Sequence, residues 1–263
     1  MADPQQSPPP TDAARPAPAA QFLAMAVHAL TASGLIFALL AAGELMQPAP
    51  RPTWVFIWLI IAVLIDAIDG PLARAVDIKR NAPDVNGRKI DDIIDYITFT
   101  FVPLALCWRM GWLAEPELLF AAAAAMAGVM LFAHRRSKHK QGRIGFFRGF
   151  PNYWNIYAFY AGLSAAAFGP WPATVLLIVL VVLTLAPVRV VYPNYAPRAW
   201  KLVLLGGGAA WLAALVAMLP WYPHEVPTWA WLATLIYPAI YGVASMALDH
   251  QARRSGEPIE ALD

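Results

Sequence analysis

Cysteine is almost absent. Cys107 stands alone in an apolar segment, so no internal disulfide can form, and no CxxC or Cys/His spacing points to zinc or thiol redox chemistry. Charge is scarce as well: 14% of the 263 residues are Asp, Glu, Lys or Arg, and the net charge is only +2. That balance offers no basic surface to nucleic acid. Residues 1–20, MADPQQSPPPTDAARPAPAA, carry six Pro and no apolar run. They lack the basic start and short apolar stretch of a signal peptide and read as a disordered tail outside a bilayer.

What the chain has instead is apolar sequence. Hydrophobic residues make up 59% of it, with eleven Trp. Runs repeatedly reach the roughly 20 apolar residues that cross about 30 Å of hydrocarbon, where a soluble domain would show short amphipathic stretches. The pattern predicts an all-α polytopic membrane protein of eight transmembrane helices. They fall at about 22–45, 53–73, 92–110, 116–134, 152–169, 171–188, 200–220 and 227–248. The membrane domain is then 21–250, followed by a cytoplasmic tail at 251–263.

Charge asymmetry sets the orientation. With both termini cytoplasmic, 17 of the 19 basic residues lie inside and only Arg51 and Arg109 outside, as the positive-inside tendency requires. Trp54, Trp112, Trp171, Trp221 and Trp229 then fall near outer span ends, where an interfacial aromatic belt is expected. The run HRRSKHKQGR, 134–143, reads as a topology-setting loop that attracts lipid headgroups, or alternatively as a phosphate contact.

Against this background DAIDGPLAR, 66–74, puts Asp66 and Asp69 at the cytoplasmic end of the second span, and GRKIDDIID, 87–95, opens the third. Asp66 and Asp69 are three apart and Asp91 and Asp95 four apart, so each pair shares a helix face. A hairpin joining the two helices gathers four carboxylates. Their mutual repulsion in a low dielectric calls for cations between them, and all-oxygen ligation favours Mg²⁺, Mn²⁺ or Ca²⁺. Gly70 and Ala73 keep the helix surface small beside the acids, and Arg74 offers a fork suited to phosphate. Carboxylates, a small-residue gap and an Arg describe a site for a metal-bound pyrophosphate, where two metals would serve an in-line phosphoryl displacement.

Asp66, Asp69, Gly70, Ala73, Arg74, Gly87, Asp91 and Asp95 reproduce the signature of the CDP-alcohol phosphatidyltransferases, which this chain resembles over about 21–250. The resemblance implies that Asp66, Asp69, Asp91 and Asp95 bind two divalent cations, Mn²⁺ or Mg²⁺. It further implies that Gly70, Ala73, Arg74 and Gly87 contact the CDP moiety and that Asp95 is the general base. One spacing departs: residues 75–86 number twelve where the common form has eight, lengthening the hairpin by about one helical turn, with Pro83 a break. In the first span, VHALT carries His28 where many members have Asn and retains Thr31, so both are expected at the nucleotide.

The long hairpin, the span number and FFRGFPNYWN, 146–155, are similar to the bacterial phosphatidylcholine synthase branch. That similarity implies transfer of a phosphatidyl group from CDP-diacylglycerol to choline with release of CMP, in the inner membrane with the site facing the cytoplasm. A quaternary ammonium has no hydrogen-bond donors and is held by aromatic faces. Phe146, Phe147, Phe150, Tyr153 and Trp154 form a dense aromatic group that Tyr96 could join; of these Tyr96, Phe150, Tyr153 and Trp154 are the foremost candidates, with interfacial anchoring as the competing explanation. The alternatives are another alcohol, namely serine, glycerol phosphate or inositol phosphate, and a cation-coupled transporter, which would spread its acids along a midplane path. Gly206, Gly207 and Gly208 suit a close helix approach, at a homodimer interface or at a kink.

Overall fold

A computed structural model of the protein describes residues 17–134, 138–256 and 258–261. Most of the tail expected at 1–20 lies outside these residues, and from Pro18 the chain is helical. Helix α1 (Pro18–Leu45) packs along α2 (Pro52–Ala75), and a short α3 (Ile78–Asn81) leads to α4 (Gly87–Asp95). A π-helical segment, Tyr96–Phe101, joins α4 to α5 (Val102–Arg109). The chain continues through α6 (Glu117–Ala133), α7 (Trp154–Phe168), α8 (Pro170–Leu185), α9 (Arg198–Lys201), α10 (Gly207–Met218), α11 (Thr228–Thr234) and α12 (Ile236–Ser255). Helix thus occupies all eight expected segments. Four stretches, Pro18–Leu45, Pro52–Ala75, Arg198–Trp221 and Thr228–Ser255, are long and apolar enough to cross a membrane, and Glu117–Ala133 and Pro170–Leu185 are shorter apolar helices.

The helices pack through small residues. In α1 the buried positions Ala24, Val27, His28, Thr31, Gly34, Ala38 and Ala41 recur at helical spacing. Gly34 lets α4 come so close that a Cβ there would lie 2.7 Å from Ile94 Cγ2. Away from the acids an aromatic core of Phe56, Trp112, Trp154, Tyr157, Phe159 and Tyr222 is closed. Trp112 therefore departs from the expected belt: it is buried, edge-on to Tyr222 at 6.0 Å, whereas Trp54, Trp171, Trp221 and Trp229 are exposed. The two basic residues assigned to the outer side both secure the α1–α2 turn. Arg51 pairs with Glu44 at 3.1 Å, and Arg109 donates to the carbonyls of Leu45, Gln47 and Pro48.

The helical expectation is incomplete in one respect. Four short strands, β1 (Lys138–Gln141), β2 (Ile144–Arg148), β3 (Arg189–Val191) and β4 (Ile259–Ala261), form an antiparallel sheet in the order β3-β2-β1-β4. The basic run read as a loop supplies β1, and the segment read as a C-terminal tail continues α12 to Ser255 and then adds β4. One sheet face is sealed on α12. Phe146 and Val191 are fully buried there, Arg189 pairs with Asp249 and accepts a place over the Phe146 ring at 5.0 Å, and Tyr241 donates to the Val191 carbonyl at 2.6 Å. Burial, with the Arg189 guanidinium beside it, holds the His139 imidazole below its ordinary range, and the ring stacks on Phe146.

The glycine triplet is used within the chain. Leu202–Gly206 is π-helical, and the Leu204 carbonyl at its centre accepts the Tyr237 hydroxyl at 2.6 Å. Tyr237 lies against Gly207 and Gly208, where a Cβ would come within 3.1 Å of its ring and 2.8 Å of its hydroxyl oxygen respectively.

Candidate active site

The hairpin from α2 to α4 brings the acids together. Asp66, Asp91 and Asp95 each present a carboxylate oxygen, and the three oxygens lie within 4.8 Å of one another. Asp69 stands beside this triad rather than in it: it is 6% exposed, and its Oδ2 has no hydrogen-bond partner. All four acids line one small cleft with Thr31, Gly34, Ile94 and Thr98. The π segment begins at the residue after Asp95, a local rewinding that recurs at functional sites.

The extra hairpin length takes a definite form. Asp77 adopts a left-handed conformation, α3 adds a single turn, and Asn81 donates to the Val76 carbonyl at 2.7 Å. Pro83 lies between α3 and α4, and the Asn86 side chain caps α4 through the Lys89 amide at 3.2 Å. This excursion walls a cavity of about 800 Å³ that shares Thr31, Asp69 and Asp91 with the acid cleft. His28, Gly70, Ala73 and Gly87 also line it, so most residues expected at a nucleotide meet in one space. Its size suits a nucleotide-scale ligand. The buried His28 Nε2 has no hydrogen-bond partner, and the ring touches Gly87, where a Cβ would lie 2.6 Å from His28 Cε1. Arg74 is exposed, and its Nη1 lies 3.6 Å from the position of a Cβ on Gly70.

Of the four candidate aromatics, Tyr153 has an electrostatic link to the acids. Its hydroxyl is within electrostatic reach of Asp66 and Asp95 and of Tyr192 and Tyr237, and the residue is 38% exposed. Trp154 is fully buried in the aromatic core and donates its Nε1–H to Asn152 at 3.2 Å. Phe150 packs edge-on to Trp154 at 6.1 Å. Tyr96 turns toward α6, donating to the Ala125 carbonyl and meeting Phe132 edge-on. Sequence alone singled out neither Lys138, whose ammonium acts on Asp66, Asp91 and Asp95 together, nor Tyr192. Lys138 was hidden in a basic run, and only sheet pairing distinguishes it from its neighbours.

An all-oxygen triad with an unpartnered buried carboxylate oxygen next to it fits hard divalent cations. No family model matches the chain, and no solved structure matches it. Curated proteins do. The chain is 35% identical over 218 residues to phosphatidylcholine synthase of Agrobacterium fabrum, covering 82% of this chain and 86% of that protein. The chain belongs to the phosphatidylcholine synthase family. The synthase of Rhizobium johnstonii is 32% identical over 233 residues, 88% of this chain and 92% of that protein. That of Bradyrhizobium diazoefficiens is 39% identical over 187 residues, 69% of this chain and 66% of the relative, just under two thirds of its length. Within this phosphatidylcholine synthase relative, the α2–α4 hairpin holds the one cluster of three metal-capable side chains found among the described residues.

Proposed function

We propose that the protein is a divalent-metal-dependent CDP-diacylglycerol:choline O-phosphatidyltransferase of the bacterial inner membrane. The observation that carries this reading is the convergence of Asp66, Asp91 and Asp95 at the edge of a nucleotide-sized cavity lined by His28, Thr31, Gly70, Ala73 and Gly87. Eight spans with cytoplasmic termini and a cytoplasmic site agree with the placement of 17 of 19 basic residues. In that arrangement the diacylglycerol tails stay in the bilayer while the CDP moiety enters the cavity.

The choline hydroxyl oxygen attacks the phosphorus that bears diacylglycerol, the phosphorus–oxygen bond to CMP breaks, and Asp95 takes the hydroxyl proton. A general base must sit within hydrogen-bond reach of that proton, and Asp95 belongs to the triad at which the phosphoryl group would be held. Asp66, Asp69, Asp91 and Asp95 would hold two cations, Mn²⁺ or Mg²⁺, whose charge offsets that building on the phosphoryl oxygens. Arg74 offers its guanidinium to a phosphate beside the Gly70 gap, and the unpartnered His28 nitrogen is placed to bond the nucleotide.

The test is CMP release by the purified protein from CDP-diacylglycerol. Release that requires choline is expected. Lys138 favours one second reading, an acceptor that carries its own phosphate, and release with glycerol phosphate or inositol phosphate but not choline would establish it. Gly87→Ala probes the cavity separately, since the new methyl would drive His28 from its place. Overpacking of this kind costs about 1–3 kcal/mol. The half-saturating concentration of CDP-diacylglycerol should rise by roughly 10-fold, equivalent to about 1.4 kcal/mol. An unchanged value in a steady-state titration would remove His28 from the nucleotide site.

A further inference from the structure

The sheet has two faces with different tasks. Phe146, His139, Gln141, Arg189 and Val191 share the face packed on α12. By strand alternation the opposite face carries Lys138, Phe147 and Val190, with Tyr192 next in phase beyond β3. On that face Phe147 and Tyr192 bring their rings to 4.6 Å, a diagonal cross-strand contact that aromatic side chains can reach. The pair is held from behind: the Tyr192 amide donates to the Gly145 carbonyl at 2.8 Å, and Phe147 pairs in register with both Lys138 and Val190. Both rings remain half-exposed.

Two electrostatic neighbours relate this face to the acids. Lys138, directly across from Phe147, acts on Asp66, Asp91 and Asp95. Tyr153, just beyond β2, is in electrostatic reach of Tyr192 and also of Asp66 and Asp95. Tyr153 thereby links the Tyr192 side of this face with Asp95, the group proposed to take the acceptor's proton. The acceptor has its reacting hydroxyl two carbons from a quaternary ammonium, so the ammonium has to be held close to Asp95. Trp154, enclosed in the core, cannot do this.

We propose that Phe147 and Tyr192, with Tyr153, form the aromatic cage for the quaternary ammonium of the acceptor, an inference that rests on the choline reading of this site. A trimethylammonium group offers nothing to a hydrogen-bond acceptor and gains from the faces of electron-rich rings, more so once desolvated. Lys138, across from Phe147, is within electrostatic reach of three carboxylates and suits the phosphate that becomes joined to choline. A cation next to two aromatic rings thus matches the zwitterionic headgroup that the reaction makes.

The experiment is a choline titration at saturating CDP-diacylglycerol with full-length Phe147→Leu, Tyr192→Leu and Tyr192→Phe proteins in detergent. Each Leu variant should raise the half-saturating choline concentration by roughly 10- to 30-fold, the scale of a desolvated cation–π contact. The half-saturating CDP-diacylglycerol concentration should hold, and Tyr192→Phe should stay near the parent because the ring is retained. The Leu variants should also lose discrimination between choline and its dimethyl analogue. If choline half-saturation is unchanged in both Leu variants, or if both substrates weaken together, the cage is overturned. If the parent protein releases no CMP in response to choline, the reaction reading itself falls and the cage with it, an outcome that needs no variant to recognise.

Discussion

Replacing Asp95 with Asn is expected to cut choline-dependent CMP release by ~10²–10⁴-fold, the usual contribution of a positioned general base. Asn preserves the volume of the side chain beside Asp66 and Asp91 and keeps one oxygen as a ligand, but it cannot accept the proton. The variant should melt in detergent close to the parent protein, because the change removes one of three crowded negative charges and opens no cavity. Raising the Mn²⁺ concentration separates the two duties assigned to this residue. A defect in metal affinity alone would be rescued by excess metal, whereas loss of the base would persist at saturation. Activity within ten-fold of the parent at saturating metal would take the proton-transfer role away from Asp95.

That prediction rests on residues that were legible in the sequence, and the reason is physical. Charge in an apolar run is costly enough that Asp66, Asp69, Asp91 and Asp95 stand out from their surroundings, and helical spacing alone puts each pair on one face. The extra hairpin length was visible too and became the turn of α3. The separation of Asp69 from the other three was not visible, because helical spacing fixes the face each pair shares but not how α4 is rotated against α2. The sheet escaped reading altogether. Its strands are three to five residues long, too short for alternation to register, and β3 and β4 lie far along the chain from the hairpin they extend. Lys138 and Tyr192 acquire meaning only from that pairing. The two π segments were equally hidden, since no local propensity distinguishes them from the α-helix on either side. Trp112 shows the same limit: an aromatic at a span end is an anchor or a core residue according to whether a neighbour such as Tyr222 covers it.

Stripping divalent cations is expected to abolish activity, and Mn²⁺ or Mg²⁺ should restore it. Three carboxylate oxygens within 4.8 Å of one another repel strongly where the dielectric is low, and the Lys138 ammonium can balance only part of that charge. The folded protein therefore tolerates the cluster at a cost that a bound cation would relieve. That coupling gives a readout independent of turnover. A ligand that binds only the folded state at 100 times its dissociation constant stabilises it by about 2.7 kcal/mol, so added Mn²⁺ should raise the melting temperature of the detergent-solubilised protein and chelator should lower it. In Asp66→Asn the metal-induced shift should shrink sharply while the metal-free protein melts no lower than the parent, because repulsion inside the triad has been reduced. A full metal-induced shift in Asp66→Asn would place the cation elsewhere. No shift in the parent, together with activity that survives chelation, would leave the acids to act through hydrogen bonding and proton transfer alone.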